Sequence, residues 1–325
     1  MLYEDGLIGQ LQAGLQGVLP AWGLAPDTAL QRLVVSENAT FLARPAGGPP
    51  LVLRVHRPGY HDEAEILSEL AWIEALRAAG AVETPRPLRT PSGAPIVSFT
   101  AGGMPRHAVA FEHMSGREPD AGVDRLAWHR QLGTIAARLH AHAKAWRRPP
   151  GFARKRWTFE TIAGGGALWG DWREAPGLDP AGRALLEALH LRLEAECAAF
   201  GTAPDRFGLV HCDMRAANLL LDGPRLGVID FDDCGFSWFG YDFAGSVSFI
   251  EDDPLVPDLR AAWLDGYRSL APFPPEQEAA LPMLVMLRRL QLTAWIASHA
   301  ETPTAQALGP AFAQGTVALA TAYLA

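Results

Sequence analysis

The sequence is poor in cysteine and contains no long apolar run, and both absences narrow the class of protein. Its three cysteines, Cys197, Cys212 and Cys234, are too few for a disulfide framework in 325 residues and suit a reducing compartment. No apolar stretch reaches the ~18 residues that a membrane span requires, and no N-terminal segment resembles a secretory signal. We therefore expect a cytoplasmic protein with no membrane partner.

Positive charge is also scarce. The net charge is −8 at pH 7, and the one basic cluster, at residues 147–148 and 154–156, is short. Because recognition of a nucleic-acid backbone requires clustered positive charge, we expect no nucleic-acid partner. The chain has no internal repeat and no low-complexity tract. With 49% hydrophobic residues it is long enough to build two lobes around a substantial core.

The most informative feature that is present is a pair of polar motifs. Residues 211–218 read His-Cys-Asp-Met-Arg-Ala-Ala-Asn, and residues 230–233 read Asp-Phe-Asp-Asp. Apolar segments at 207–210, 219–221 and 226–229 predict short strands around them. The two motifs should therefore lie at the edges of one hairpin, close enough to share a site. Phosphoryl transfer from ATP requires one carboxylate that orients the attacking hydroxyl. It also requires ligands for magnesium, which an amide and a second carboxylate can supply.

Periodicity along the rest of the chain predicts a small lobe followed by a larger, mostly helical one. The predicted elements of the small lobe are strands at 33–35, 41–42, 51–56, 95–99 and 107–111, a helix at 62–79, and an amphipathic N-terminal helix at 7–19. Residues 112–116 resemble a hinge, and residues 126–145 predict a long helix. We predict an α+β fold with an N-terminal nucleotide-binding lobe at 1–112 and a C-terminal catalytic and acceptor-binding lobe at 113–325.

This order of parts resembles the protein-kinase-like fold of the aminoglycoside phosphotransferase and choline kinase superfamily. The likeness runs over about residues 31–245 and is strongest from His211 to Asp233. Further support comes from the Ser-Glu-Asn at 36–38, the Leu-Gly to Leu-His stretch at 132–140 and the Tyr-Asp-Phe-Ala at 241–244. Within the superfamily the chain most resembles the stress response kinase A type of bacterial serine/threonine kinases. A bilobal fold is what this resemblance implies.

The resemblance also implies roles in the large lobe. Asp213 would be the catalytic base, because a loose transition state asks mainly for orientation of the hydroxyl and late acceptance of its proton. Asn218 and Asp230 would coordinate Mg²⁺, with Asp232 as an auxiliary ligand, since oxygen ligands suit this hard cation. His211 is interpreted as structural, and Asp242 as an anchor of the catalytic loop backbone.

In the small lobe, Arg54 stands where such kinases usually carry lysine. Its ion-pair partner would be Glu69, with Glu65 as the alternative one helical turn earlier. A guanidinium can bridge a phosphate and a carboxylate, so Arg54 is compatible with the role of that lysine. Its reach and geometry differ from those of an ammonium.

The nucleotide loop departs from the family pattern as well, because residues 37–39 contain no glycine. Ser36 and Asn38 would present this loop to the phosphates of ATP, and Asn tolerates the left-handed backbone that such loops use. The adenine ring would be read by backbone groups from Glu112 to Met114.

The acceptor is the least determined part of the prediction. The leading hypothesis is an ATP-dependent kinase of protein serine or threonine hydroxyls. The alternative is a kinase of a small alcohol, such as an aminoglycoside, homoserine or a choline-like compound, and a third is a catalytically weak nucleotide-binding regulator. The acidic run at 251–253 is a candidate site for a cationic acceptor, or else a solvated loop. Trp238, Trp263 and Trp295 are candidates for an aromatic cage, with core packing favoured for the last two.

Overall fold

The computed structural model describes residues 5–35, 38–120 and 124–325, which divide into two compact units. Unit 1 comprises the described part of residues 1–116 together with residues 147–154, and unit 2 comprises residues 117–146 and 155–325. The segment 147–154 joins unit 1 through backbone and side-chain bonds to the second helix. Ala153 N donates to Ser68 Oγ at 2.9 Å, and Arg154 Nη1 donates to Glu65 O at 2.9 Å.

An antiparallel six-stranded sheet forms most of unit 1. Its strands are β1 (Ala29–Val35), β2 (Ala39–Arg44), β3 (Leu51–Val55), β4 (Pro87–Leu88), β5 (Val97–Ala101) and β6 (Met104–Glu112). The order across the sheet is β1-β2-β3-β6-β4, and β5 also pairs with β6. The strands that alternation of apolar residues predicted are therefore present, with β4 as a short addition in the proline-rich stretch.

Two helices complete unit 1, one before β1 and one between β3 and β4. In α1 (Asp5–Val18), leucines spaced by four residues bury Leu11 and Leu15 in the same core as Phe41 and Leu53. The second helix, α2 (Glu63–Ala78), begins at a capping box in which Asp62 accepts from Glu65 N, because the first amides of a helix have no partner within it. Both predicted helices are confirmed.

Unit 2 is mostly helical. Its helices are α3 (Arg125–Ala145), α4 (Phe159–Ile162), α5 (Pro180–Phe200), α6 (Tyr241–Ser246), α7 (Val256–Arg268), α8 (Pro275–Ala279), α9 (Leu281–Ser298) and α10 (Pro303–Leu324). Two small antiparallel pairs interrupt them: β7 (Phe207–Val210) with β10 (Gly235–Trp238), and β8 (Leu219–Asp222) with β9 (Arg225–Val228). The predicted hairpin between the two polar motifs is thus confirmed as β8 and β9.

Two glycines allow α3 and α7 to cross at very short range. A Cβ at Gly133 would lie 1.9 Å from Trp263 O, and a Cβ at Gly266 would lie 1.8 Å from Arg130 O. Any side chain at either position would force the helices apart. This close crossing lets the buried His140 of α3 bond with the hydroxyl of Tyr267 of α7 at 3.1 Å.

Within the described ranges, no helix has both the length and the apolar character needed to cross a membrane.

Candidate active site

The loop at 211–218 is held by a buried carboxylate on α6. Asp242 Oδ1 accepts from Cys212 N at 2.8 Å, and Oδ2 accepts from His211 N at 3.4 Å. At Cys212 the backbone takes a φ of +71°, a left-handed conformation that favours glycine. Gly245 lets α6 come this close, because a Cβ there would lie 2.9 Å from Cys212 O. The prediction that Asp242 anchors the loop is confirmed.

Two histidines complete the support of the loop. His140 Nε2 lies 2.9 Å from Asp242 Oδ2, and both side chains are buried. His211 Nδ1 accepts from Asp213 N at 3.2 Å, while its Nε2 lies 3.1 Å from Ile229 O. Nδ1 is therefore the acceptor nitrogen and Nε2 the donor of this ring. The interpretation of His211 as structural is confirmed, since its ring ties the loop to the end of β9.

The carboxylate of Asp213 is held by three side chains. Oδ1 accepts from Arg288 Nη2 at 2.5 Å, and Oδ2 accepts from Asn218 Nδ2 at 2.7 Å and Arg215 Nε at 3.3 Å. Burial opposes its ionisation, but the positive charges of Arg288 and Arg215 outweigh burial and hold the pKa of Asp213 below its ordinary value. The loop thus presents an ionised carboxylate in a fixed orientation.

The predicted metal ligands lie around the base of the hairpin. Asn218 Nδ2 donates to both Asp213 O and Asp213 Oδ2, so the amide oxygen is the end that suits a cation. Ile229 N donates to Asn218 O at 2.9 Å, which places Asp230 beside Asn218 across the hairpin base. The exposed Asp230 has a φ of +61°, while Asp232 is buried. An amide oxygen and carboxylates are donors that fit a hard divalent cation.

In unit 1 the structure pairs the two residues that the sequence put together. Arg54 of β3 lies with Nη2 2.5 Å from Glu69 Oε2 of α2, and the side chains are 7% and 1% exposed. The guanidinium carbon of Arg54 also lies 5.3 Å from the centre of the Phe111 ring. Glu65 is engaged elsewhere, in the α2 cap. Glu69, not the alternative Glu65, is therefore the ion-pair partner of Arg54.

The other predicted nucleotide residues are spread over unit 1. Ser36 lies outside the described residues. Asn38 is buried, and its Oδ1 accepts from Arg57 N at 3.2 Å. Glu112 ends β6, where its N–H donates to Arg86 O at 2.9 Å, and Met114 is half-buried beyond it. The N–H of Glu112 therefore already has an acceptor, and adenine binding by backbone groups from Glu112 to Met114 stays a prediction.

Sequence reasoning missed Arg288, which contacts Asp213 from α9. Its Nε donates to Ser248 Oγ at 3.0 Å and its Nη1 to Gln291 Oε1 at 3.1 Å, and its guanidinium carbon lies 4.9 Å from the centre of the Trp169 ring. A signal was present in the sequence. Arg288 and Arg289 are the charged residues of a mostly apolar helix, and a charge buried in such a helix requires a partner.

The acidic run at 251–253 does not form the cation site that we considered. Glu251 is buried and pairs with Arg289 Nη1 at 2.7 Å, while Asp253 pairs with Arg125 Nη1 at 2.6 Å. Neither carboxylate is available to an incoming cation, because each already neutralises an arginine. The functional interpretation is therefore wrong for Glu251 and Asp253, and the solvated-loop interpretation is wrong for the buried Glu251. For the exposed Asp252 neither interpretation is tested.

The proposed tryptophan cage is also wrong. Trp238 packs edge-on against Phe207, Trp263 packs against Phe243, Tyr267 and Phe273, and Trp295 stacks on His299. The three indoles belong to separate aromatic clusters, and each is at least nine-tenths buried. The core interpretation of Trp263 and Trp295 is confirmed.

Comparisons with known proteins agree with this geometry. Residues 31–273 match the model of the phosphotransferase enzyme family. A solved structure of a microcompartment-associated aminopropanol kinase is similar over 95% of this chain and 96% of that chain, with 41% identity and a TM-score of 0.88. A homoserine kinase from Methylobacillus flagellatus is 27% identical over 73% of this chain and 69% of its own length. An amicoumacin kinase with AMP-PNP and Ca²⁺ covers 97% of this chain and 93% of that chain, with a TM-score of 0.78 at 18% identity.

These proteins confirm the predicted superfamily and its protein-kinase-like fold. They favour the small-molecule alternative over the leading hypothesis of a protein serine/threonine kinase. The amicoumacin kinase structure holds AMP-PNP and Ca²⁺, and for this chain the use of Mg²⁺ with ATP stays a prediction. The narrower likeness to stress response kinase A also stays a prediction. The chain belongs to the phosphotransferase enzyme family and is a kinase that phosphorylates an alcohol group.

Proposed function

We propose that the protein transfers the γ-phosphoryl group of ATP to the hydroxyl of a short amino alcohol of the aminopropanol type. The observation that carries the proposal is the full-length likeness to an aminopropanol kinase, at 41% identity and over 96% of that chain. The ordered carboxylate of Asp213 supports it, because an ionised and oriented base is what attack by a hydroxyl requires.

In this proposal unit 2 supplies the base and the metal ligands. Asp213 accepts a hydrogen bond from the attacking hydroxyl and takes its proton late in the transfer. Asn218, Asp230 and Asp232 hold Mg²⁺, which supplies charge neutralisation to the phosphates when bound. The tight hydrogen bond from Asn218 to Asp213 keeps the base and a metal ligand in one rigid arrangement.

Unit 1 supplies the nucleotide contacts. Arg54 neutralises phosphate oxygens, and Glu69 holds the guanidinium in place through the buried ion pair. Ser36, Asn38, Glu112 and Met114 are the remaining nucleotide-binding residues of the proposal, with the ring read mainly by backbone groups beyond Glu112.

Aromatic side chains near Asp213 favour a small organic acceptor. Trp169 lies against the guanidinium of Arg288, and the Phe249 ring centre lies 6.0 Å from the guanidinium carbon of Arg215. Phe249 is half-buried and packs edge-on against Trp295. In this proposal the accessible part of the half-buried Phe249 ring contacts the short carbon skeleton of the acceptor, and an ammonium over an aromatic face gains ~0.5–2 kcal/mol.

The test is a panel of acceptors assayed with Mg-ATP by ADP release and by ³¹P NMR of the product. The panel contains 1-amino-2-propanol, 3-amino-1-propanol, ethanolamine, choline, homoserine, an aminoglycoside and a generic protein substrate, with 1,2-propanediol as the neutral match. We expect the highest kcat/KM for an aminopropanol, at least tenfold above the diol. A phosphorylated protein, or a homoserine rate above that of every amino alcohol, would reject the proposal. Asp213→Asn serves as the inactive control.

A further inference from the structure

Arg288 is more rigidly held than a surface cation or a simple structural ion pair requires. Each of its guanidinium nitrogens donates to a different side chain: Nη2 to Asp213, Nε to Ser248 and Nη1 to Gln291. Its side chain is 2% exposed, and the Trp169 indole lies against the guanidinium. A planar guanidinium that donates to three side chains, and has an indole against one face, is held in a single orientation.

The acceptors of Arg288 are themselves fixed. Gln291 Oε1 also accepts from Tyr241 OH at 2.5 Å, and Tyr241 lies on α6, the helix whose Asp242 anchors the catalytic loop. The guanidinium therefore connects α9 to the loop and to the helix that supports the loop. Movement of Arg288 would move the carboxylate of Asp213 relative to its own backbone.

The bonds to Asp213 leave one direction open for an acceptor. A carboxylate has about four lone-pair positions on its two oxygens. Oδ2 accepts from Asn218 and Arg215, whereas Oδ1 accepts from Arg288 alone among the described residues. One lone pair of Oδ1 therefore has no donor among the described residues and is open to an incoming hydroxyl.

We propose that Arg288 is a positioning residue, which fixes the rotation of the Asp213 carboxylate so that Oδ1 faces the acceptor hydroxyl. The inference rests on the proposed role of Asp213 as the base, and it does not depend on which alcohol is the acceptor. A misplacement of about 1 Å in a reacting group costs about 10²-fold in rate, so rotation of this carboxylate should act on kcat.

The neighbouring arginine provides a matched control. Arg289 lies on the same helix, is equally buried and pairs with Glu251 and Thr316, away from Asp213. A purely structural role for Arg288 predicts that Arg288→Ala and Arg289→Ala have the same consequences. A positioning role predicts that they differ in kcat.

The experiment compares kcat and the KM for Mg-ATP in both variants, with and without millimolar methylguanidinium. We expect Arg288→Ala to lose at least tenfold in kcat, with KM within about threefold, and to regain activity when methylguanidinium fills the cavity. Arg289→Ala should lose thermal stability, keep kcat within about threefold and show no rescue. Equal kcat in the two variants, or equal rescue, overturns the proposal.

Two further measurements cover a variant that does not fold and an acceptor that is wrongly assigned. Arg288→Lys retains the charge, but a single nitrogen cannot donate to Asp213, Ser248 and Gln291 from three positions. We therefore expect Arg288→Lys to have a reduced kcat. A wild-type kcat in this variant overturns the proposal. Slow ATP hydrolysis without any alcohol uses water as the acceptor, and Arg288→Lys should lower it as well. If no amino alcohol is phosphorylated, the proposed function fails while this hydrolysis still tests Arg288.

Discussion

The ion pair between Arg54 and Glu69 should be strongly coupled, and its loss should affect both the folding of unit 1 and the use of ATP. The two charged atoms lie 2.5 Å apart, and the side chains are 7% and 1% exposed. Water therefore screens this pair very little. Removing one partner leaves the other charge buried without compensation, which costs about 3–5 kcal/mol.

A double-mutant cycle with Arg54→Met and Glu69→Gln measures this coupling. We expect each single variant to lose protection against hydrogen exchange at the amides of β3 and α2. The double variant should lose less than the sum of the two, by about 1–3 kcal/mol, because one contact is being removed twice. Hydrogen exchange localises the effect, since it reports the opening of unit 1 separately from the helical unit.

The chain contains a matched control for this cycle in the same unit. Arg89 and Glu74 form an ion pair at 3.0 Å with side chains that are 49% and 37% exposed. Exposed pairs contribute about 0–1 kcal/mol, so the cycle on this pair should show little coupling. Additive losses at Arg54 and Glu69, equal to those of the control pair, would refute the reasoning from burial.

The same variants test the contact with ATP. Arg54→Met should lower kcat/KM for ATP at least tenfold, since a desolvated charge-assisted contact is worth roughly 1.5–3 kcal/mol. Arg54→Lys should restore part of this loss, because the ammonium keeps the charge without the fork. Unchanged kinetics for ATP in Arg54→Met would show that another cation serves the phosphates.

Four other changes have distinct expected results. Asp213→Asn should lower kcat by ~10²–10⁴-fold while calorimetry shows unchanged Mg-ATP binding, and more than about a tenth of wild-type kcat would contradict its role. Asp230→Ala should weaken Mg-ATP binding and raise the metal requirement; unchanged affinity would contradict the metal role. Gly266→Ala places a Cβ 1.8 Å from a carbonyl oxygen of α3, so it should lower the free energy of unfolding by ~1–3 kcal/mol and lower Tm. Gly47→Ala has open space around the new Cβ and should leave Tm unchanged. Burial lowers the pKa of His129 from 6.5 to about 4, so the unfolded chain takes up the proton first as pH falls. Unfolding titrations should therefore show about 3 kcal/mol lost between about pH 6.5 and 4, and a smaller loss in His129→Gln.

Much of the fold was predictable because local patterns determine it. Apolar alternation predicted β3, β5 and β6, and four-residue leucine spacing predicted α1. The motif at 211–218 predicted the catalytic loop, because its chemistry depends on residue types at fixed spacing within one short stretch. The resemblance to the family named Glu69 as the partner of Arg54, with Glu65 as the alternative, and the structure selects Glu69.

The contacts that could not be predicted join residues far apart in the chain. Arg288 reaches Asp213 across 75 positions, and Arg289 reaches Glu251 across 38. A charge run such as 251–253 looks solvated or functional in sequence, whereas its true role depends on which arginine the tertiary fold brings beside it. Tryptophans present the same difficulty, because an indole that packs in a core and one that faces a ligand have the same local pattern.

The arginine on β3 has a consequence for chemical labelling of this protein. ATP analogues that carry an acylating group mark kinases by reacting with a lysine amine beside the phosphates. A guanidinium such as that of Arg54 is not acylated under conditions that acylate a lysine amine. The lysines of the chain are Lys144 and Lys155, both in unit 2 and neither on β3. Surveys that detect kinases by acylation at the β3 position should therefore pass over this protein even when it is abundant and active.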